Sequence, residues 1–471
     1  MSTSFDALQS PSAALARLWE AAGGKASALS AVTLTGHEPV LPSSFAVGTA
    51  AQASMAAATL AAREIGMLRG GPAQAVSVDM LHAAVEFRSE RYLRVDGQVP
   101  SDPWDKIAGL YRTADGWVRL HTNFPHHRDG MLQLLGCEYD KAAVGRALER
   151  WNAVDLETAA AEAGLCATAL RSFDEWDAHP QGRAVAAMPV LTIERIADAP
   201  PQPLPPLPKG AQPLHGVRML DLTRVIAGPV AGRTLAAHGA DVMLVTAAHL
   251  PAIDTLVVDT GRGKRSTRVD LRVEAGRETM RTLVHGADVF LQGYRPGGLA
   301  ALGFGPQALA EMRPGIVAAS LSAYGPSGPW ADRHGYDSLV QTATGFNHAE
   351  AQAASSTEPK ALPAQVLDHA SGYLLALGIQ AALLRRAVEG GSWHVQVSLA
   401  QTAQWLRGLG RIEQGLRAHE LSADDVRPFL ERSASGFGGL LAVRHAGVLS
   451  VTPPQWQRPS VPLGSDAPAW D

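Results

Sequence analysis

The pair Asp368-His369 stands directly before a long apolar run in "VLDHASGYLLALGIQAALLRR" (366–386). The run reads as a buried helix, which puts a carboxylate and an imidazole at its mouth. From local pattern alone Asp368 is a helix N-cap, since Asp is among the residues preferred there. A carboxylate at a helix N-terminus is stabilised as an anion by the dipole. The same group can attack an activated acyl carbon and hold it covalently. The two roles are compatible, and local pattern leaves both open. His369 is either a second acid–base group or a neighbour that faces another way.

Two glycine-flanked basic stretches suit a small polyanion. "GRGKRS" (261–266) offers Arg262, Lys264 and Arg265, and "GYRPGG" (293–298) offers Arg295. Arginine forks onto phosphate oxygens, and lysine acts as a point charge. Without other information such clusters are solvated turns. In "PHHRDG" (125–130) the side chains of His126, His127 and Asp129 diverge and no HExxH spacing exists, so a polar loop is expected and no metal site. Neither GxGxxG nor a phosphate loop of the Walker type occurs, so NAD and ATP are not indicated.

Composition narrows the class. The 471 residues are 46% hydrophobic and 18% charged, enough for two or three globular domains. A net charge of -4 gives no electrostatic case for nucleic acid or an anionic membrane as partner. Cys137 and Cys166 are the only cysteines, too few for a disulfide framework or a Cys-rich zinc site. The start lacks a basic region followed by an apolar core, so no signal peptide is expected. The apolar stretches near 46–62 and 372–384 are read as too short or too interrupted to span a bilayer. A cytoplasmic protein is expected.

The elements that must position these residues follow from periodicity. "ADAPPQPLPPLPKGAQPLHG" (197–216) is too proline-rich for helix and predicts an extended connector. After it, apolar runs at 216–222, 240–245, 287–292 and 315–322 alternate with helical segments, which predicts βαβ units and a mostly parallel sheet. Ligands of such sheets sit at the carboxyl ends of strands, here the loops at 223–229, 293–298 and 323–337. A helix over 372–388 stops at Gly390-Gly391, and "HVQVSLAQTAQWL" continues as strand and helix. A faint copy of this unit lies at 47–87: an Ala-rich helix, Gly70-Gly71, and an alternating strand whose Val76 and Val78 match Val395 and Val397. In that copy the place of Asp368 falls on Ser44, within "LPSSFAVG", which has no carboxylate. Residues 109–186 predict a separate small α+β module.

Five blocks in order carry a resemblance: "GVRMLDLTRVIAGPVAGRTLAAHGADVMLV", "GRGKRSTRVDLR", "GYRPGGLAALGFGPQALAEMRPGIVAASLSAYGPSGPW", "HGYDSLVQTATG" and "VLDHASGYLLALGIQAALLRR". They resemble family III CoA-transferases, the group of formyl-CoA transferase, carnitine CoA-transferase and α-methylacyl-CoA racemase. The resemblance implies an α/β fold with a Rossmann-like, mostly parallel large domain and a smaller α+β domain. The boundaries expected are a degenerate partial repeat at 1–100, the small domain at 101–196, a Pro-rich linker at 197–215, the large domain at 216–430 and a closing segment at 431–471. It also implies a homodimer, with an acyl-CoA and a carboxylic acid acceptor as partners. Coenzyme A enters as a substrate thioester, and no separate cofactor is implied.

The block matching "VLDHASG" puts the family's nucleophilic aspartate at Asp368. Loops that contact CoA in the family match Arg224, Val225 and Ala227 in "RVIAGP", Arg262, Lys264 and Arg265, and Arg295. Tyr324 and Gly325 in "AYGPSGP", Tyr336 and Asp337 in "HGYDS", and His369 are expected around the acyl pocket. The racemase branch carries a histidine where this chain has Tyr336. His334, two residues earlier, is expected to point elsewhere, which disfavours racemisation. The family's Lys and Glu after the second strand are replaced by Leu244 and Thr246. Beside CoA transfer, an acyl-CoA racemase or isomerase and a catalytically silent CoA-binding subunit stay open as alternatives.

Overall fold

The computed structural model describes residues 8–470. Its main sheet has seven strands: β1 (Thr192–Ala197), β2 (Arg218–Leu222), β3 (Asp241–Thr246), β4 (Lys264–Arg268), β5 (Val289–Gln292), β6 (Val317–Ser322) and β7 (Ser392–Ser398). They lie in the order β4-β3-β2-β5-β6-β7-β1. Every neighbouring pair is parallel except β7 and β1. The strand order reverses between β2 and β5, where loops from their carboxyl ends diverge and leave a crevice. The mixed α/β class expected from the sequence is therefore what forms.

Strand β4, "KRSTR", breaks the apolar rule for a buried strand. Lys264 is 2% exposed, and its charge is met by Asp221 Oδ2 at 2.8 Å. Arg265 forks onto both oxygens of Asp241 at 3.0 Å. Pairing is what lets such charges leave water. The other long edge of the sheet is β1, which belongs by sequence to the segment before the proline-rich stretch. A boundary at 196 therefore divides the sequence without dividing the sheet.

Three helices build the centre: α1 (Val47–Leu68), α2 (Ala227–Ala237) and α3 (Val366–Glu389). The α3 helix packs along both of the others. A Cβ at Gly372 would stand 2.6 Å from the Ala227 carbonyl and 2.8 Å from Val230, so glycine is what allows α2 and α3 to approach. Gln380 donates across to the Ala58 carbonyl at 2.9 Å on the α1 side. The 24 residues of α3 are long and apolar enough to cross a membrane, contrary to the reading of 372–384 as too short. Its apolar surface is consumed instead by protein: the whole apolar window is buried.

Helices α1 and α3 differ in the residues of their first turns. Asp368 is the third residue of α3, and the third residue of α1 is Thr49. Ser44, which the sequence set against Asp368, lies three residues before α1 begins at Val47. The strand that follows α1, Val76–Asp79, pairs outside the main sheet with Val32–Thr35 and Val448–Leu449.

The module at 109–186 has its own three-stranded antiparallel sheet, Gly109–Arg112, Trp117–Leu120 and Ala167–Ala169. It also has a separate core that includes Tyr111, Val118, Leu120 and Met131. The proline-rich stretch is a fastened strap. Arg69, at the end of α1, donates to the Pro205 and Pro213 carbonyls at 2.8 Å. Gln202 N–H donates to the Arg386 carbonyl at 3.1 Å, near the end of α3. A buried network adds a second fastening: His445 and Glu86 meet at 2.9 Å, and Arg233 meets Asp259 at 2.7 Å and Glu86 at 3.7 Å.

Candidate active site

The first turn of α3 is capped from a distance. Gln365, the N-cap residue, makes no side-chain capping bond. Asp337, at the start of the helix Asp337–Ala343, accepts the backbone N–H groups of Leu367 at 2.7 Å and Asp368 at 2.9 Å. Gln341 also donates to Asp337. The capping that the local pattern assigned to Asp368 is therefore done by Asp337. This leaves the Asp368 carboxyl with no hydrogen bond among the described residues, facing a cavity. At the start of α1, Glu38 accepts the Thr49 N–H at 2.6 Å.

Burial, then the neighbouring carboxyls of Asp337 and Glu90, raises the Asp368 carboxyl well above the usual carboxylate range. Asp337 is also raised, chiefly by burial, to about 6, with its three N–H donors pulling the other way. Of the two, Asp337 is the better solvated anion, because donors surround it and none reaches Asp368. His369 points away from the cavity. It is 1% exposed, stacks on Phe87 with centroids 5.4 Å apart, and approaches Glu90 at 3.4 Å. Both residues belong to the segment after α1, which thus touches the residue next to Asp368.

The cavity measures about 550 Å³ and lies at the carboxyl ends of β2, β3, β5 and β6. The predicted residues Arg224, Val225, Ala227, Arg295, Tyr336 and Asp368 all line it. Arg224 sits between the rings of Phe124 at 5.3 Å and Tyr294 at 5.6 Å. Tyr336 is held by a parallel stack on His121, 3.8 Å between centroids. Thr246, in place of the expected Glu, also lines the cavity, while Leu244 does not.

Other expected residues lie elsewhere. Arg262, Lys264 and Arg265 are buried in ion pairs and do not reach the cavity. Arg262 is spent on Asp259 at 2.9 Å and on the Trp456 ring at 4.1 Å. Tyr324 is 3% exposed and packs edge-on to Trp330. Gly325 has φ +98°, and a Cβ there would meet the Met188 side chain at 2.8 Å. Asp337 and His369 support the site from behind without lining it. The cavity takes its charged side chains from Arg224, Arg272, Arg295 and Arg333 instead. His334, expected to point away, lines it together with Tyr336, because residues two apart on extended chain share a side. His126 of "PHHRDG" also lines it from the small module. Burial and nearby cations lower the imidazole of His334 to about 4 and shift His126 in the same direction.

A mostly parallel sheet with its cavity at the strand ends defines an α/β ligand-binding protein. The chain belongs to CoA-transferase family III, whose profile matches residues 12–202 and 214–423. It is similar to an acyl-CoA transferase of Gibberella moniliformis, 29% identical over 69% of this chain and 64% of that protein. A probable fatty acyl-CoA transferase of Mycobacterium tuberculosis, Rv3272, is 36% identical over 47% of this chain and 59% of that one. A succinate–glutarate CoA-transferase of Agrobacterium fabrum is 32% identical over 41% and 52%. The chain thus spans less than two thirds of the length of each of these relatives. A crystal structure of Rv3272 is 37% identical over 42% of this chain and 57% of that one, with a TM-score of 0.37.

Proposed function

We propose that the chain transfers coenzyme A between carboxylic acids, with Asp368 as the nucleophile. The observation that carries this reading is an Asp368 carboxyl relieved of capping by Asp337 and facing a cavity rich in cations. The Asp368 carboxylate attacks the thioester carbonyl of the donor. The C–S bond breaks and the CoA thiolate departs, leaving a mixed anhydride. The thiolate then attacks the aspartyl carbonyl, releasing the donor acid and leaving an enzyme thioester. The acceptor carboxylate opens that thioester to a second anhydride, and the thiolate takes the new acyl group, restoring Asp368. Each step forms one acyl bond as another breaks, dividing a hard exchange into easier ones. Arg224 and Arg295, at the loops after β2 and β5, are the cations offered to the CoA phosphates, and Arg272 adds a third. The names of the relatives, acyl-CoA and succinate–glutarate transferases, support the same reaction class.

In this reading the main sheet is a Rossmann-like large domain, 109–186 the family's small domain and 1–100 a partial repeat. The setting is cytoplasmic, and a homodimer is the assembly to test. Incubation with an acyl-CoA, a hydroxylamine or borohydride quench, and mass spectrometry test the mechanism. A modified Asp368 is expected; no adduct there, with full turnover in Asp368→Ala, would sink it. His334 beside Asp368 in one cavity favours a second reading, racemisation of an acyl-CoA, with two groups to move an α-proton. Loss of α-deuterium from a chiral acyl-CoA into water is its signature, and full retention would discard it.

A further inference from the structure

Strands in the middle of a parallel sheet carry apolar residues on both faces, and one face of β5, β6 and β7 departs from that rule. The face that shares a core with α3 holds Leu291, Ala319 and Val395. On the opposite face the register sets Phe290, Ala318 and His394 in one row and Gln292, Ser320 and Gln396 in the next. A second cavity of about 160 Å³ is lined by both rows. Phe304 and Leu309, from the segment after β5, line it as well. It shares Tyr294 and Arg295 with the main cavity, and Asp368 is not part of its wall.

The polar groups on this floor are ordered. Gln292 Oε1 accepts the Tyr294 N–H at 2.8 Å, which fixes the amide so that Nε2 donates to Ser320 Oγ at 3.1 Å. Ser320 then has its own hydrogen for His394 Nε2, 2.9 Å away. Burial lowers the His394 imidazole to about 4, so near pH 7 the ring is neutral and its one hydrogen sits on Nδ1. The chain stops there. His394 Nδ1 and the Gln396 amide make no hydrogen bond among the described residues, and both residues line the cavity. Arg295, where the two cavities meet, is the one charged side chain of the lining. Away from it the walls offer an N–H, an amide and apolar surface, which suits an uncharged ligand with a carbonyl. A cavity of about 150 Å³ holds a benzene ring, and the Phe304 ring gives one an aromatic partner.

We propose that this second cavity binds a small neutral molecule, a single aromatic ring bearing a carbonyl group. The ring lies against Phe304 and Leu309, and the carbonyl oxygen accepts from His394 Nδ1–H. Gln396 is the partner for a donor beside that carbonyl. The site stands apart from the transferase reading, since neither Asp368 nor Arg224 lines it. It is linked to the main cavity all the same. Gln292 holds the Tyr294 N–H, and the Tyr294 ring faces Arg224 at 5.6 Å. Occupancy of the small cavity thus reaches the large one through one shared loop.

Benzamide is titrated into the full-length chain by ligand-observed NMR, beside toluene, which lacks the carbonyl, and hexanamide, which lacks the ring. Benzamide is expected to bind with a Kd on the order of 0.1–1 mM, and the other two about tenfold more weakly. Ala318→Leu fills the floor, and His394→Phe removes the donor while keeping a ring. Each is expected to weaken benzamide about tenfold or more, with CoA affinity within about threefold of wild type. Weakening in either variant that still binds CoA supports the site. As CoA is raised, the benzamide Kd is expected to settle at a plateau, the mark of two linked sites. A Kd that climbs in proportion to CoA without a plateau puts the ring in the CoA site and overturns the proposal. So does benzamide binding that both variants leave unchanged, that toluene and hexanamide equal, or that is undetected at about 10 mM.

Discussion

Asp337 accepts the backbone N–H of Asp368 at 2.9 Å, so two acids meet at one helix end through the main chain. Asp337 takes the donors, and Asp368 keeps a bare carboxyl. Because Asp368 must be ionised to attack, and burial followed by Asp337 and Glu90 raises it, the rate should climb with pH well above the ordinary carboxylate range, near 4. Asp337→Asn keeps an oxygen for the two N–H groups and removes one negative neighbour. Its pH–rate midpoint should move towards acid but only part of the way, since burial remains. An unmoved midpoint would count against the assignment.

Loss of the nucleophile and gain of stability should come together in Asp368→Asn. CoA exchange is expected to drop roughly 10³-fold or more. The wild-type carboxyl binds its proton more tightly folded than unfolded, so wild-type stability declines as pH rises from the unfolded value towards the folded one. The neutral amide escapes that decline. Thermal melts should show the variant more stable at pH 8 and level with wild type at pH 4.

Gly372 sits one turn beyond Asp368, where α2 and α3 touch. Gly372→Ala must push the Ala227 carbonyl and Val230 away, at a cost of about 1–3 kcal/mol. The shift also displaces Asp368 relative to the start of α2, which carries Ala227. Both the melting temperature and kcat are expected to fall. Full activity with a lowered melting temperature would show that the helix contact does not set the site.

Glu86 is held well below the usual carboxylate range: burial acts to raise it, and His445 and Arg233 outweigh that. Glu86→Gln breaks a buried ion network and should destabilise the protein by about 3–5 kcal/mol at neutral pH. A depressed carboxylate contributes stability above its unfolded value, which is lost on acidification. The gap between wild type and variant in denaturation curves should therefore narrow, without closing, as pH falls from 7 to 3.

Buried parallel strands are legible because they are contiguous apolar runs closed by glycine or proline. The runs at 240–245 and 287–292 settled as Asp241–Thr246 and Val289–Gln292. Strand β4 was not legible, since "KRSTR" reads as a solvated cationic turn until Asp221 and Asp241 are brought beside it from other strands. The same long-range pairing explains why Arg262, Lys264 and Arg265 lie buried while Arg272 and Arg333 line the cavity. The ordered motifs singled out Asp368, and its relief from capping by Asp337, 31 residues earlier, could not be read from them. His126 could not be placed either, because it reaches the cavity from a separate module and lies 242 residues before Asp368.

The antiparallel strand β1 has a consequence for how the molecule behaves among its own copies. Six parallel strands would expose unpaired backbone at both rims, each a template for another chain. One rim is finished by β1, whose Glu194 and Arg195 are exposed. The other is covered by the carboxyl-terminal tail, where Asp466 accepts from the Ser266 N–H at 2.7 Å and returns its own N–H to the Ser266 carbonyl at 2.8 Å. Both seals come from outside the strand–helix units that they close. Trimming the tail or loosening β1 should leave the nucleophile's surroundings standing while opening a route to self-association and precipitation.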